Sequence, residues 1–273
     1  PFIFEYQSGR TPIPCINCNE KVKFLDLIIF SRKLGAKSLV TGHYIKKKKV
    51  KDEWALYVPE DKKRDQSYFL FSIKLEDLDF IDFPLGDFTK NEIREFAKSM
   101  KFHLHDKADS QDICFIPGGD YKEFIKKNIN NPVKGEIVDL QNNVIETHEG
   151  IYNFTVGQRR GLGISKEKPM YVKKIDSKNN RVVVAEKEEV NSKEVFVKDI
   201  NYLTEVKDSN IKVRVRSTGN FLKAKIKKVN DKEATIILDE PESAVSPGQA
   251  CVFYAEDNHG TRLLGGGWID STN

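Results

Sequence analysis

From about residue 134 onward the sequence is a succession of short β-prone runs separated by Asn, Gly and Asp: GEIVDL, NNVIETHEG, YNFTVGQRRGLGI, PMYVKKID and NNRVVVAE, then VFVKDINYL, NIKVRVRS, LKAKIKKV, EATIILDE, QACVFYAE and RLLGGGWI. Runs this short and this regularly punctuated predict an all-β half, built as small barrels. The preceding residues follow a different rule. Leu25–Leu34 (LDLIIFSRKL) has helical apolar spacing and meets Gly35, a helix stop. SLVTGHY then reads as a buried strand ending in the turn Thr41-Gly42-His43. Ligands of open α/β sheets sit at such strand ends, which makes Gly42 and His43 site neighbours. The lysine run of KKKKVKDEWALYV is a solvated hairpin or a phosphate-contacting face. FTKNEIREFAKSMKF predicts an amphipathic helix with a Thr89/Glu92 capping box and a structural face of Ile93, Phe96 and Ala97.

At 273 residues and 39% hydrophobic the chain can bury more than one core. No run of about 18 apolar residues is present and no signal-peptide pattern opens the chain, so a membrane partner is not expected and the compartment reads as cytosolic. Lys+Arg at 45 against Asp+Glu at 41 gives a net charge of +4, compatible with a nucleic-acid partner without requiring one.

Four cysteines are too few for a disulfide scaffold, which turns attention to TPIPCINCNEKVKF, where Cys15 and Cys18 stand two residues apart. The next cysteine, Cys114, lies far downstream, so a two-knuckle zinc ribbon does not fit. A thioredoxin-type pair would open a helix after a strand, and Pro12 and Pro14 precede this one. Cys114, between Ile113 and Phe115, taken alone reads as a buried small hydrophobe, as does Cys251 in QACVFY. Two chemistries remain: distant thiols that meet in space, one as nucleophile and one as carrier, or three thiolates on a cluster. Gly157–Gly163 (GQRRGLG) is a basic turn suited to an RNA backbone and lacks the spacing of a Walker loop.

Seven segments in register carry a family resemblance over almost the whole chain: GRTPxPCxxCNxxxKF, GAxxxxTGHY, RDQSYFL, FPLGxxxKxEIRxxA, DSQxICFI, TVGQRRGLGI and PGQAxVFY with LGGGWI. Together they resemble the tRNA-specific 2-thiouridylase family (MnmA, or TrmU). The resemblance implies an enzyme that uses ATP with Mg2+ to activate the C2 oxygen of wobble uridine 34 in tRNA and replaces it with sulfur delivered as a persulfide by a donor protein. By the same resemblance Cys114 carries the persulfide. Cys18 is the nucleophile that closes a disulfide with it, and Gly42 contacts ATP. Pro14, Cys15 and Ile16 match positions that touch the target base, Cys15 standing where other members have Asp. Arg64, Asp65, Gln66, Arg214 and Val215 match tRNA-contacting positions. The alternatives are a [4Fe-4S] cluster on Cys15, Cys18 and Cys114, and a non-catalytic tRNA-binding remnant.

The implied organisation is the carboxyl-terminal part of an α/β PP-loop domain (1–115), a central β-rich tRNA-binding domain (116–190) and a carboxyl-terminal β-barrel (191–273). Two departures stand out. Arg64 replaces the usual Lys, and Val215 stands where an aromatic is usual. The SGGxDS phosphate-binding turn of the family is absent, and the chain starts at Pro1 without a methionine. Alone, it is therefore expected not to adenylate RNA, whether as a piece of a longer protein or as a remnant.

Overall fold

A computed structural model describes residues 1–103, 113–116, 118–129, 133–206 and 210–273; Asp109, Ser110 and Gln111, ahead of Cys114, lie outside them. The helices are α1 (Phe2–Gln7), α2 (Pro14–Asn17), a π-helical stretch (Cys18–Asp26) that runs on into α3 (Leu27–Lys33), α4 (Lys90–Ser99) and α5 (Tyr121–Asn128). The first strands are β1 (Leu39–Val40), β2 (Lys46–Val50), β3 (Glu53–Tyr57) and β4 (Ile81–Asp82). A central set follows: β5 (Gly135–Val138), β6 (Val144–His148), β7 (Tyr171–Asp176) and β8 (Arg181–Ala185). The last six are β9 (Ser192–Tyr202), β10 (Asn210–Arg214), β11 (Leu222–Lys228), β12 (Ala234–Glu242), β13 (Ala250–Asp257) and β14 (Gly260–Thr272). Every β-prone run of the second half carries one strand except YNFTVGQRRGLGI, which forms a short 3-10 turn and a loop.

The α/β, β-rich and barrel organisation is the expected one. Strands β9 to β14 close a six-stranded barrel in the order β13-β10-β11-β12-β9-β14, sealed by the β13–β14 pairing. Alternation along β13 shows how it is used: Cys251 and Phe253 point into the barrel core, while Ala250, Val252 and Tyr254 point outward and are equally buried. They are buried because the first domain packs there, against Ile16, Phe24, Ile45, Leu56, Tyr68 and Phe71. The glycines of LGGGWI make the seam possible. A Cβ on Gly265 (φ +139°) would fall on the Asn201 carbonyl oxygen, and one on Gly266 would lie 2.9 Å from both the Cys251 oxygen and the Phe71 ring.

The first domain departs from expectation in four places. SLVTGHY keeps only a two-residue strand, β1, paired in parallel with β4. The cysteine-bearing segment is helical from Pro14 onward, well ahead of Leu25. The lysine hairpin joins the barrel sheet through β3–β14, with Tyr57 opposite Arg262, and two of its lysines are engaged within the protein. Lys47, its side chain 7% exposed, lies 4.0 Å above the Trp54 ring and donates to the Ile81 carbonyl at 2.6 Å, while Lys46 pairs with Glu60 at 2.8 Å. Finally, α4 has its capping box, Thr89 N donating to Glu92 Oε2 at 2.7 Å, but buries nothing: Phe96 is 63% exposed. The central sheet runs β6-β5-β8-β7 around Ile137, Val172, Val182 and Val184. A separate cluster of Tyr6, Ile125 and Tyr152 ties α1 and α5 to it. No helix among the described residues is long and apolar enough to cross a membrane.

Candidate active site

Pro14 takes the first helical position, where its missing N–H costs nothing, and so fixes where the helix starts. Cys15 and Cys18, with two residues between them, stand at i and i+3 and share one face. Ile16, between them, is 0% exposed and points into the core, so a tRNA base cannot meet its side chain, whereas Cys15 is exposed and Cys18 half-buried. Asn19 is buried, donates from Nδ2 to the Phe69 carbonyl at 3.0 Å, and leaves its Oδ1 without a hydrogen-bond partner.

At Cys18 the helix changes winding to i→i+5, seen in the bond from Leu27 N to the Val22 carbonyl. In an α-helix residue i+5 sits about 0.4 of a turn away from residue i. The wider turn brings Lys23 back toward the cysteine face. Lys23 Nζ then lies 3.4 Å from His43 Nε2, and His43 Nδ1 lies 2.8 Å from Thr41 Oγ1. An ammonium can only donate, so Nε2 accepts and Nδ1–H donates to Thr41. Burial, with the Lys23 charge adding to it, lowers the His43 pKa to about 4. Phe24 and Phe83 close around the imidazole at ring separations of 5.8 and 6.5 Å.

Because the folded protein holds His43 neutral, its contribution to stability is complete above the unfolded pKa of about 6.5 and is lost as pH falls toward 4. That loss amounts to about 2 kcal/mol by pH 5 and about 3 kcal/mol in full. Urea unfolding at pH 7.5 and pH 5 should show this difference in the wild type and not in His43→Gln; equal pH dependence in both would refute it.

Cys114 is exposed, against the expectation of a buried hydrophobe. Its neighbours anchor it: Phe115 packs edge-on against Phe2 at 5.4 Å and Phe124 at 6.1 Å, and Ile116 is buried. The thiol comes within electrostatic range of Cys15, as does that of Cys18. Burial pushes the Cys15 thiol up, charge on Cys114 and Cys18 pushes it further, and Lys23 opposes them. All three thiols are free. Cys251 is apart from them, fully buried in the barrel as expected, with burial raising its pKa strongly. Among the described residues no group of three or more His, Cys, Asp or Glu side chains is placed to hold a metal ion.

Beside the thiols opens a cavity of about 640 Å³, lined by Pro14, Asn17 and Lys21 from the cysteine helix, Phe115 next to Cys114, and Lys198 and Trp268 from the barrel. That volume suits a nucleotide-sized group. At Gly42 a Cβ would meet only Leu85 Cδ1, at 3.7 Å, so the main chain is open to a ligand there. A second cavity of about 310 Å³ lies under the Gly157–Gly163 loop, where Arg159 and Arg160 are exposed.

The remaining expected residues form a different structure. Asp65, its side chain 2% exposed, pairs with Arg214 at 2.7 Å, and Arg214, 13% exposed, lies over the Phe221 ring at 4.2 Å. Gln66 accepts from Tyr44 N at 2.9 Å, and Val215 is in the barrel core. Arg64 ends a short 3-10 turn and is half-buried. Lys23, Thr41 and Asn19 are site residues that the sequence reading missed. A spacing of five from Cys18 to Lys23 signals a shared face only in a π-helix, and no local pattern announced one.

Family models match all three parts of the chain: the tRNA methyl transferase HUP domain at residues 1–118, the tRNA methyl transferase PRC-barrel domain at 122–186 and the aminomethyltransferase beta-barrel domain at 192–269. The chain is similar to the tRNA-specific 2-thiouridylases MnmA of Rickettsia massiliae, 45% identical over 98% of this chain and 74% of the relative, and of Rickettsia canadensis, 44% identical over 98% and 73%. The Rickettsia bellii protein of the same name is 45% identical over 98% and 73%. The chain belongs to the tRNA-specific 2-thiouridylase family.

Proposed function

We infer that the chain is a tRNA-uridine 2-sulfurtransferase that converts wobble uridine 34 to 2-thiouridine. The observation that carries this reading is that Cys15 lies within electrostatic range of both Cys18 and Cys114, while their chain neighbours Pro14, Asn17 and Phe115 line a nucleotide-sized cavity. A donor protein places a persulfide on Cys114, the exposed thiol. The uracil enters the cavity beside Pro14 and Asn17, with Lys21 and Lys198 facing the phosphates around it. ATP, with Mg2+, supplies the leaving group, since a carbonyl oxygen departs readily only as part of AMP; the open main chain at Gly42 fits a contact to it. The terminal sulfur of the Cys114 persulfide bonds to C2 as AMP leaves. Cys18 thiolate then attacks Cys114 Sγ, the S–S bond to the transferred sulfur breaks, and that sulfur stays on C2 as the thiocarbonyl. The protein is left with a Cys18–Cys114 disulfide. The Arg159–Arg160 loop holds the tRNA backbone at a distance from the chemistry.

The test is nucleoside mass spectrometry of a U34-containing tRNA transcript after incubation with the protein joined to the SGGxDS phosphate-binding segment that this sequence lacks, ATP, Mg2+ and a persulfide-generating cysteine desulfurase. 2-Thiouridine confined to position 34 is expected. Tight tRNA binding with no thiolation under these conditions would instead support a tRNA-binding remnant.

A further inference from the structure

Cys15 has no part in that scheme, yet it is exposed, reduced, on the same helical face as Cys18 and within electrostatic range of both other thiols. Building on the sulfur relay above, we propose that Cys15 is a resolving thiol: it attacks Cys18 Sγ of the Cys18–Cys114 disulfide, forming a Cys15–Cys18 disulfide and freeing Cys114 to accept the next persulfide. The exchange balances without an added oxidant. One S–S bond forms as another breaks, the electron pair leaves on Cys114 as thiolate, and the proton lost by Cys15 is returned there. A cellular dithiol later reduces the Cys15–Cys18 bond.

Geometry favours this partner. Side chains at i and i+3 of a helical turn have Cβ atoms about 5–6 Å apart, against 3.5–4.5 Å in a disulfide, so closing the bond requires only that the first turn tighten by about 1 Å. Pro14 fixes the start of that turn and Ile16, fully buried, holds it against the core. Cys114 sits on a separate segment whose hold on the protein is Phe115 and Ile116, so releasing it does not disturb the helix.

The charges time the attack. In the reduced protein the Cys15 thiol is held up by burial and by charge on Cys114 and Cys18, with Lys23 opposing. Those are the groups that face it. Once Cys18 and Cys114 are joined, neither carries charge, and the pull of Lys23 is left against burial alone. Cys15 therefore gains thiolate character when its target appears, and is quiet while Cys114 carries the persulfide.

Trypsin makes the test direct, because Cys15 and Cys18 share the peptide 11–21 while Cys114 is in 108–122. After a single turnover of persulfide-loaded protein, quenched in N-ethylmaleimide, the cross-linked pair of peptides should rise and then decay. Peptide 11–21 lighter by two hydrogens should replace it, reaching about tenfold excess. In Cys15→Ser the cross-linked pair should persist, with one round of 2-thiouridine formed and later rounds lost until reductant is added. A wild-type cross-link that persists with Cys15 alkylated, a Cys15–Cys114 cross-link, or unimpaired repeated turnover by Cys15→Ser would each overturn the proposal. Treating the reduced protein with one equivalent of diamide reads the same disulfides without tRNA. If no 2-thiouridine forms, the functional reading fails while this arm still decides the exchange.

Discussion

Cys18→Ser and Cys114→Ser are each expected to lower 2-thiouridine formation by on the order of 10³-fold or more, the scale on which losing a covalent participant is felt. Stability should change by no more than about 0.5 kcal/mol in either variant, since neither side chain is buried. The two should fail at different steps. Cys114→Ser has no sulfur on which to receive the persulfide, and cyanolysis should find no labile sulfur on it. Cys18→Ser should load normally and bind tRNA normally, then stall with the base still attached to Cys114 through two sulfurs. That adduct is the decisive species: a mixture of protein and tRNA that runs together on a denaturing gel and separates on adding dithiothreitol. A Cys18→Ser protein that thiolates at the wild-type rate would remove Cys18 from the chemistry and leave Cys15 as the attacking thiol.

The parts of this molecule that were legible in its sequence are those governed by local rules. Short runs bounded by Asn and Gly gave strands because a strand needs only alternation and an end, and Thr89 with Glu92 gave a helix start because a capping box is complete within four residues. Pairing between distant strands follows no such rule. Nothing in QACVFYAE or RLLGGGWI says that one reaches back to β10 and the other to β9, or that Glu53–Tyr57 extends the same sheet. Gly265, Gly266 and Gly267 of β14 make sense only once Phe71, Asn201 and Lys198 are seen crowding them. The site divided in the same way. Cys15 and Cys18 stood out by spacing and Gly42 by its strand end, whereas Cys114 between two apolar residues looked like core and is exposed. Lys23 was hidden by a change of helical period, and Ile16 and Val215, matched by motif to RNA contacts, have their side chains in the interior. A motif records which residues recur; it does not record which way they face.

The largest effect on stability is expected at Asp65. Its carboxylate joins Arg214 at 2.7 Å across the seam between the first domain and the barrel, with side-chain exposures of 2% and 13%. Asp65 also accepts from Ser67 N at 2.9 Å, and Ser67 Oγ lies 3.0 Å from the Tyr254 hydroxyl, so the pair anchors a polar chain inside an apolar contact. Removing one partner leaves the other charged and dry, which costs about 3–5 kcal/mol. Asp65→Ala should therefore shift urea unfolding by that amount. Adding Arg214→Met should recover most of it, because the thioether can keep the packing over Phe221, 4.2 Å from the guanidinium in the native protein, without a charge to satisfy. The same pair of variants separates a structural role from a tRNA-binding one. If the seam is the function of these residues, the double variant regains stability and binds tRNA with nearly native affinity. If Arg214 meets phosphate directly, stability returns while affinity does not, and the salt dependence of binding falls by about one counterion. A single variant Asp65→Ala within 1 kcal/mol of the wild type would show that water reaches the Arg214 guanidinium after all, and that the seam is looser than its buried ion pair implies.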